Sequence, residues 1–559
     1  MKIFLAQQNY IIGDITYNTN KIITAIRHAK SLGGELIVFS ELSICGYPPR
    51  DFLEFESFLQ ECMTAVEKIA NEADGIAVLV GGPSKNPKKE GKDLLNTAFF
   101  LVDKQVQHTV HKTLLPNYDI FDEYRYFEPA VDWNIVEYKG IRLAITICED
   151  LWDMEADTMY PFKPMDKLMS QNPDLMINLS ASPFDYTHIE DRYWMVRENC
   201  KAYQLPLLYC NTVGSQTEIV FDGGSLIADS EGNILQEGKY FEEDLLEVIF
   251  LEGSLSGEVL KPEAILPKQS FTPINLDASI HIDRIYDALV IGIKEYFEKM
   301  GFQKAIVANS GGVDSALTIA LASAALGAEN VFTVLMPSQF SSDHSVVDGE
   351  QLCKNLGNPY EIIPIKDIYE AFESSLSGLF RGLPFNVAEE NIQARTRGNL
   401  VMAIANKFNY ILLNTSNKSE LAVGYGTLYG DMAGGLSVLG DVYKTQVYEL
   451  CKFINKKTEI IPNNILVKAP SAELRPGQKD SDSLPDYEVL DTLIYQYIEL
   501  RKGPKELTDM GFEVSLVDKV LKMVNRNEYK RNQFCPIIRV SAKSFGPGRR
   551  MPIVGKYLS

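Results

Sequence analysis

The sequence predicts two α/β domains in tandem, and three observations predict them. The chain has 559 residues, room for two large domains of about 250 residues each. Short runs rich in Val, Ile, Leu and Phe alternate with helical patterns along both halves. Between the halves, around residues 252–280, Pro262, Pro267 and Pro273 interrupt a stretch without periodicity, which reads as a linker. The expected organisation is a first domain over 1–251, a linker over 252–280 and a second domain over 281–559.

In the first half, strands are expected at 3–7, 36–40, 76–81, 98–102, 143–148, 175–179 and 207–211, each short and rich in Val, Ile, Leu or Phe as buried strands tend to be. Helices are expected at about 20–30, where Ile22, Ile26 and Ala29 share a face, and at 193–203. The second half opens on a helix in which Ile282, Ile285, Tyr286, Leu289, Ile293 and Tyr296 recur at helical spacing. Strands follow at 305–308, 331–336, 360–365 and 410–414, with helices at 316–325 and near 389–407. Strands alternating with helices imply a parallel, doubly wound sheet. Residues 471–486, rich in Ser, Asp and Pro, read as a long mobile loop.

Composition narrows the function classes. Apolar residues make up 45% and charged residues 23%, which is ordinary for a globular chain. Lys and Arg number 54 against 75 Asp and Glu, a net charge of −21. Such a surface repels phosphate backbones and anionic lipid, so neither nucleic acid nor membrane is an expected partner, while a small anion held by backbone N–H groups remains open. No apolar run reaches the roughly 18 residues of a spanning helix, and the start, Met1-Lys2-Ile3-Phe4-Leu5-Ala6-Gln7-Gln8, turns polar too soon for a signal peptide. A cytoplasmic protein is expected. The eight cysteines form no Cys-x-x-Cys pair, so neither a structural zinc site nor a disulfide framework is expected.

Ser310-Gly311-Gly312-Val313-Asp314-Ser315 lies between a strand and a helix. The glycines let the backbone turn tightly, and the N–H groups at the helix start with the Ser310 and Ser315 hydroxyls make an anion cradle. The lysine of a Walker A loop is missing. Such a loop suits pyrophosphate as a leaving group better than hydrolysis of a terminal phosphate. Asp314 would repel phosphates unless a cation such as Mg²⁺ lies between them. This hexapeptide resembles the loop of the ATP pyrophosphatase (adenine nucleotide alpha hydrolase) superfamily, whose members adenylate an oxygen and let nitrogen displace AMP. Downstream stand Glu390-Asn391-Ile392-Gln393-Ala394-Arg395, Asn414-Thr415-Ser416-Asn417-Lys418-Ser419-Glu420, Gly424-Tyr425-Gly426-Thr427-Leu428-Tyr429-Gly430-Asp431 and Lys444-Thr445-Gln446-Val447. Together these resemble NAD synthetases.

That resemblance implies a Rossmann-like, doubly wound parallel sheet. It also implies ATP contacts at Ser310, Gly311, Gly312, Val313, Asp314, Ser315 and Thr415, and Mg²⁺ on Asp314 and Glu420, neither of which has a basic neighbour in sequence. Asn391, Glu420, Tyr425 and Lys543 would contact deamido-NAD. The loop over 471–485 would close over the site; Arg475, Lys479 and Asp480 sit in it without an assigned role.

In the first half, Glu41 follows one apolar run, Lys112 follows another, and Cys148 ends a third, each a reactive or charged group that apolar sequence does not explain. In this order the three resemble the triad of the nitrilase (carbon–nitrogen hydrolase) superfamily. The wider match is Glu41-Leu42-Ser43-Ile44-Cys45-Gly46-Tyr47-Pro48, Lys112 with Pro116-Asn117-Tyr118, Phe121-Asp122-Glu123-Tyr124-Arg125-Tyr126-Phe127, and Cys148-Glu149-Asp150-Leu151-Trp152. The resemblance implies an αββα sandwich working as a glutaminase. Cys148 would be the nucleophile, Lys112 would lower the thiol's pKa and stabilise the oxyanion, and Glu41 would be the general base. Glu123 would support the triad, and Tyr118, Ser182 and His188 would bind glutamine. Thr187 and His188 stand where the family commonly has Gly and then Lys or Arg, so glutamine affinity would be weaker or pH-dependent, with Arg192 an alternative partner for the substrate carboxylate.

Fused, the two halves imply glutamine-dependent amidation of deamido-NAD, with ATP as substrate, Mg²⁺, no redox cofactor, an enclosed ammonia path, and a homo-oligomer, dimer or octamer. Two competitors remain. An RNA-modifying pyrophosphatase-loop enzyme would show salt-sensitive RNA binding. A nucleotide sensor carrying a vestigial hydrolase would bind ATP without turnover.

Overall fold

A computed structural model of the protein describes residues 1–154, 159–260, 276–471, 473–478 and 480–558. Much of the expected linker, and Lys479, lie outside the described residues. The chain divides into two compact units, Met1–Gln216 with Val220–Ser270, and Thr217–Ile219 with Phe271–Ser559.

The first unit runs β1 (Lys2–Gln7), α1 (Ile15–Ser31), β2 (Leu36–Val38), α2 (Glu56–Ala70), β3 (Ala77–Lys85), β4 (Leu94–Val102), β5 (Gln105–His111), β6 (Val136–Tyr138), β7 (Ile141–Ile147), α3 (Pro164–Met169), β8 (Leu175–Ser180), α4 (His188–Tyr203), β9 (Leu207–Asn211), β10 (Val213–Gln216), β11 (Ile219–Asp222), β12 (Leu226–Ala228), β13 (Ile234–Glu237), β14 (Asp244–Leu251) and β15 (Ser254–Leu255). One sheet has the order β15-β14-β1-β2-β3-β4-β5 and the other β13-β12-β9-β8-β7-β6. Alternate residues of a strand face one side. Ile3, Leu5, Val38, Leu79 and Phe100 of the first sheet therefore meet Ile145, Ile147, Ile177, Leu179 and Leu208 of the second in one dry core. The other face of the second sheet, with Ala144, Met176 and Tyr209, packs on Met165 and Leu168 of α3 and on Ile189 and Val196 of α4. Helices α1 and α2 contact each other, and α2 contacts β3 of the first sheet. The architecture is an αββα sandwich. The expected strands form within a few residues of their positions; β5, β6 and β10–β15 were not expected.

The second unit begins α5 (Ile282–Met300), β16 (Ala305–Ala308), α6 (Val313–Leu326), β17 (Val331–Leu335), α7 (Asp343–Leu356), β18 (Tyr360–Ile362), α8 (Lys366–Leu376), α9 (Val387–Phe408), β19 (Ile411–Asn414), α10 (Lys418–Val423), β20 (Leu436–Ser437) and α11 (Lys444–Ile454). Its sheet is parallel throughout, in the order β18-β17-β16-β19-β20. Helix α6 is apolar on nearly every side and buried along most of its length, as a helix enclosed between layers must be. Helix α9 starts at a capping box, with Asn386 accepting from the Ala388 N–H and Glu389 accepting from the Asn386 N–H. The chain runs outward from β16 in both directions, so a crevice opens where β16 and β19 end. Among the described residues no helix is long and apolar enough to cross a membrane.

Candidate functional site

In the first unit, Glu41 follows β2, Lys112 follows β5 and Cys148 follows β7. Gly81 in β3 lets the Ser40–Leu42 backbone pass, since a Cβ there would lie 2.5 Å from the Leu42 nitrogen. Cys148 sits at φ 42°, in the left-handed region that a non-glycine residue adopts only when its surroundings hold it there. Asp150 holds it. Its carboxylate accepts the Ile147 N–H at 3.0 Å, just before the cysteine, and the Thr113 and Leu114 N–H groups at 3.0 and 2.8 Å, just after Lys112. One side chain thus ties the Cys148 turn to the strand end at Lys112.

Lys112 is fully buried. Its Nζ donates to Glu41 Oε1 at 2.7 Å and to Glu123 Oε1 at 2.8 Å, which leaves the third ammonium proton for a substrate. Asn96 and the Ala181 N–H also donate to Glu41, and the Tyr47 hydroxyl donates to Glu123. Burial works against the Lys112 ammonium, but Glu123 and Glu41 outweigh it and hold the pKa well above the usual lysine value. Burial pushes the Glu123 carboxyl up to about 7 despite Lys112. Burial and the Glu41 charge also push the Cys148 thiol well above its ordinary value; Lys112 pulls it down without prevailing. The lowering influence expected of Lys112 is present, but burial and Glu41 outweigh it.

Tyr118 donates to Glu149, at 2.9 and 3.1 Å, as does Tyr160 at 3.1 Å. Ser182 Oγ is 2.7 Å from His188 Nε2, and the His188 ring stacks on Trp152 at 4.6 Å. Ser182 and His188 are therefore neighbours, while Arg192 is committed elsewhere: it is fully buried and paired with Asp222 at 2.7 Å. It does not replace a family lysine or arginine. Glu149 escaped sequence reasoning, although its place next to Cys148 was the signal.

In the second unit a cavity of about 290 Å³ is lined by Ser310–Ser315, Thr415, Glu420 and Tyr425. Gly311 has φ 72°, and a Cβ there would lie 2.1 Å from the Ser345 carbonyl oxygen, so only glycine fits. Asp314 accepts from Asn417 Nδ2 at 2.9 Å and pairs with Lys444, whose Nζ is also 3.6 Å from Glu420. The basic neighbour that sequence did not reveal thus comes from 130 residues away. Burial, with repulsion from Asp314, pushes the Glu420 carboxyl up to about 8. Two oxygen-donor carboxylates already sharing one cation fit Mg²⁺, which binds through one or two carboxylates and fills its shell with water and phosphate oxygens. Among the described residues no group of three or more His, Cys, Asp or Glu could hold a metal.

Asn391 and Lys543 are not among the cavity's lining residues. Asn391 accepts from the Thr427 hydroxyl at 2.7 Å. Two residues before Lys543, Ser541 is anchored to Asp441 and to the buried Lys418, which donates to Ser541, Glu499 and Asp441 at 2.7, 2.7 and 3.0 Å. The loop expected to be mobile is docked at its described residues. Tyr425 and Tyr487 donate to Asp480 at 3.2 and 2.9 Å, Arg475 lies 3.8 Å from Glu390, and Glu473 accepts from Ser342 and Ser345 at 2.9 Å each.

Comparison with known proteins matches residues 2–250 to the carbon-nitrogen hydrolase family and residues 285–534 to the NAD synthase family. The glutamine-dependent NAD(+) synthetase of Synechocystis sp. is 44% identical over 99% of this chain and 98% of its own length. That of Thermotoga maritima is 39% identical over 100% and 99%. The solved structure of the Acinetobacter baumannii glutamine-dependent NAD+ synthetase in complex with ADP is 36% identical, with a TM-score of 0.76 over 99% of this chain and 98% of that one. Matched in both halves and along nearly its full length, the chain belongs to the glutamine-dependent NAD(+) synthetase family.

Proposed function

We propose that the protein makes NAD from deamido-NAD, ATP and glutamine, with a glutaminase over 1–251 and a synthetase over 281–559. What carries the reading is the pairing, on one chain, of the Glu41–Lys112–Glu123 cluster beside Cys148 with the Ser310–Ser315 loop beside Asp314 and Glu420.

In the first unit, Glu41 takes the Cys148 proton as Sγ attacks the amide carbon of glutamine. The free third N–H of Lys112 meets the developing oxyanion. Glu41 then passes the proton to nitrogen, ammonia leaves, and water, activated by the same carboxylate, releases glutamate from the thioester. Ser182 and His188 hold the substrate's carboxylate end, and Tyr118 helps orient it together with Glu149.

In the second unit, the Ser310–Ser315 loop holds the phosphates and Thr415 steadies the nucleotide. A carboxylate oxygen of deamido-NAD, oriented by Asn391, Tyr425 and Lys543, attacks the α-phosphorus, and pyrophosphate leaves. Asp314 and Glu420 would hold Mg²⁺, which when bound supplies charge neutralisation for the phosphates. Ammonia then attacks the adenylated carbonyl, and AMP leaves with one original carboxylate oxygen. A cytoplasmic homo-oligomer, dimer or octamer, completes the proposal; the net charge of −21 favours small-molecule substrates over nucleic acid.

Deamido-NAD labelled with ¹⁸O in its carboxylate tests the chemistry. One label should appear in AMP for each NAD formed. Label in pyrophosphate, or none in AMP, would contradict adenylation of the carboxylate.

A further inference from the structure

Among the described residues, three cationic side chains line the nucleotide cavity: Arg397, Lys444 and Lys468. Two are neutralised by contact, Lys444 by Asp314 and Glu420, and Lys468 by Glu473. Arg397 differs. Its Nε donates to the Met336 carbonyl oxygen at 2.9 Å, but its two Nη atoms have no bonding partner and form no ion pair among the described residues. It projects from the stretch of α9 whose Ala394, Gly398 and Val401 line the same cavity.

Arg397 is half-buried and faces the cavity without a contacting counter-charge, so its guanidinium is available to an anion that arrives with a ligand. Burial lowers the Arg397 pKa only to about 10, so the group stays charged at neutral pH. The two carboxylates whose fields reach it are already engaged. Asp431 accepts the Thr427 N–H at 2.6 Å, and Glu473 is held by Ser342, Ser345 and Lys468. The phosphate loop adjoins this cluster, because the Gly311 backbone lies against Ser345. A guanidinium whose Nε is fixed presents its two Nη groups as a rigid fork, the geometry that suits phosphate oxygens.

We propose that the Nη groups of Arg397 bind phosphate oxygens of ATP, making it an anion-recognition residue of the synthetase site. The proposal rests on the nucleotide reading of this cavity. The test is calorimetric binding of Mg²⁺-ATP and of adenosine to the full chain, for wild type, Arg397→Gln and Arg397→Lys. Arg397→Gln should weaken ATP at least tenfold and leave adenosine within twofold, with Arg397→Lys recovering part of the loss. Equal weakening of ATP and adenosine would overturn the proposal in favour of a contact to base or ribose, and so would an unchanged ATP affinity. Should Arg397→Gln fail to fold, by its thermal unfolding profile, Arg397→Lys decides alone: several-fold weaker ATP with unchanged adenosine supports the proposal, and parallel or absent changes overturn it. Wild type that does not bind ATP would count against the nucleotide reading itself.

Discussion

Each unit centres on a buried lysine between two carboxylates, and the two differ chiefly in access to water. Lys112 is 0% exposed, with Glu41 at 0% and Glu123 at 6%. Lys444 is 3% exposed, but Asp314 and Glu420 open to the cavity at 18% and 17%. The closed cluster keeps its charges inside, where the lysine fixes the carboxylates and, on the proposed reading, supports acid–base chemistry at a neighbouring thiol. The open cluster presents its carboxylates to whatever enters, and there the proposed Mg²⁺ would share the carboxylates with the lysine. On the proposed reading, the same three-charge motif serves proton transfer when dry and phosphate chemistry when wet.

Substitutions in each unit should separate these roles. The largest effect belongs to the open cluster. Asp314→Asn should lower NAD formation by about 10²-fold or more with glutamine and with ammonium alike, and raise the Mg²⁺ required, because a carboxylate ligand is lost. Loss confined to one donor, read from rates with each, would break the comparison. In the closed unit, His188→Ala should raise the glutamine KM by about tenfold, as expected for one lost polar contact to a charged group, with ammonium-driven synthesis unchanged. Equal losses with both donors would remove His188 from the glutamine site.

The smallest effect concerns the acids that hold each cluster in place. Asp150 accepts three backbone N–H groups, and burial raises its pKa to about 6 in spite of them. The folded chain therefore binds a proton there that the unfolded chain releases at lower pH, and the associated stability is lost as pH rises through about 4 to 6. Asp150→Asn should destabilise by about 1–3 kcal/mol, since it leaves N–H groups poorly paired, and the gap to wild type in thermal unfolding should be larger at pH 5 than at pH 7.5. Asp491, raised to about 6 by burial while holding Ser419 and Thr445, is the counterpart in the second unit. A gap that grows with pH would contradict the raised value at Asp150.

Much of this was legible in sequence, for physical reasons. Strands β7, β8, β9 and β16 are rich in aliphatic residues because both faces are covered, and their runs marked them. Strand β5, Gln105–His111, is an exposed edge with Gln, His and Thr in succession, so it left no apolar signal. Glu41, Lys112 and Cys148 stood out as charged or reactive groups at the ends of such runs, and the structure brings Glu41 and Lys112 into contact. Lys444 lay inside a quoted motif without a role, because its partners are far away in sequence and only the sheet's crossover brings them near. Arg192 was open to a substrate role until Asp222 proved to be its partner. The thiol's raised pKa was not legible, because desolvation depends on a core that sequence does not measure.

The central claim is that the closed cluster makes ammonia and the open one consumes it. NAD formation from deamido-NAD, ATP and Mg²⁺, with glutamine or ammonium as donor, tests it most directly when wild type is run beside Cys148→Ala. The account predicts that wild type uses both donors and that the variant uses ammonium alone, at the wild-type rate. A variant that still uses glutamine, or one that loses ammonium-driven synthesis as well, would contradict the division of labour between the two units.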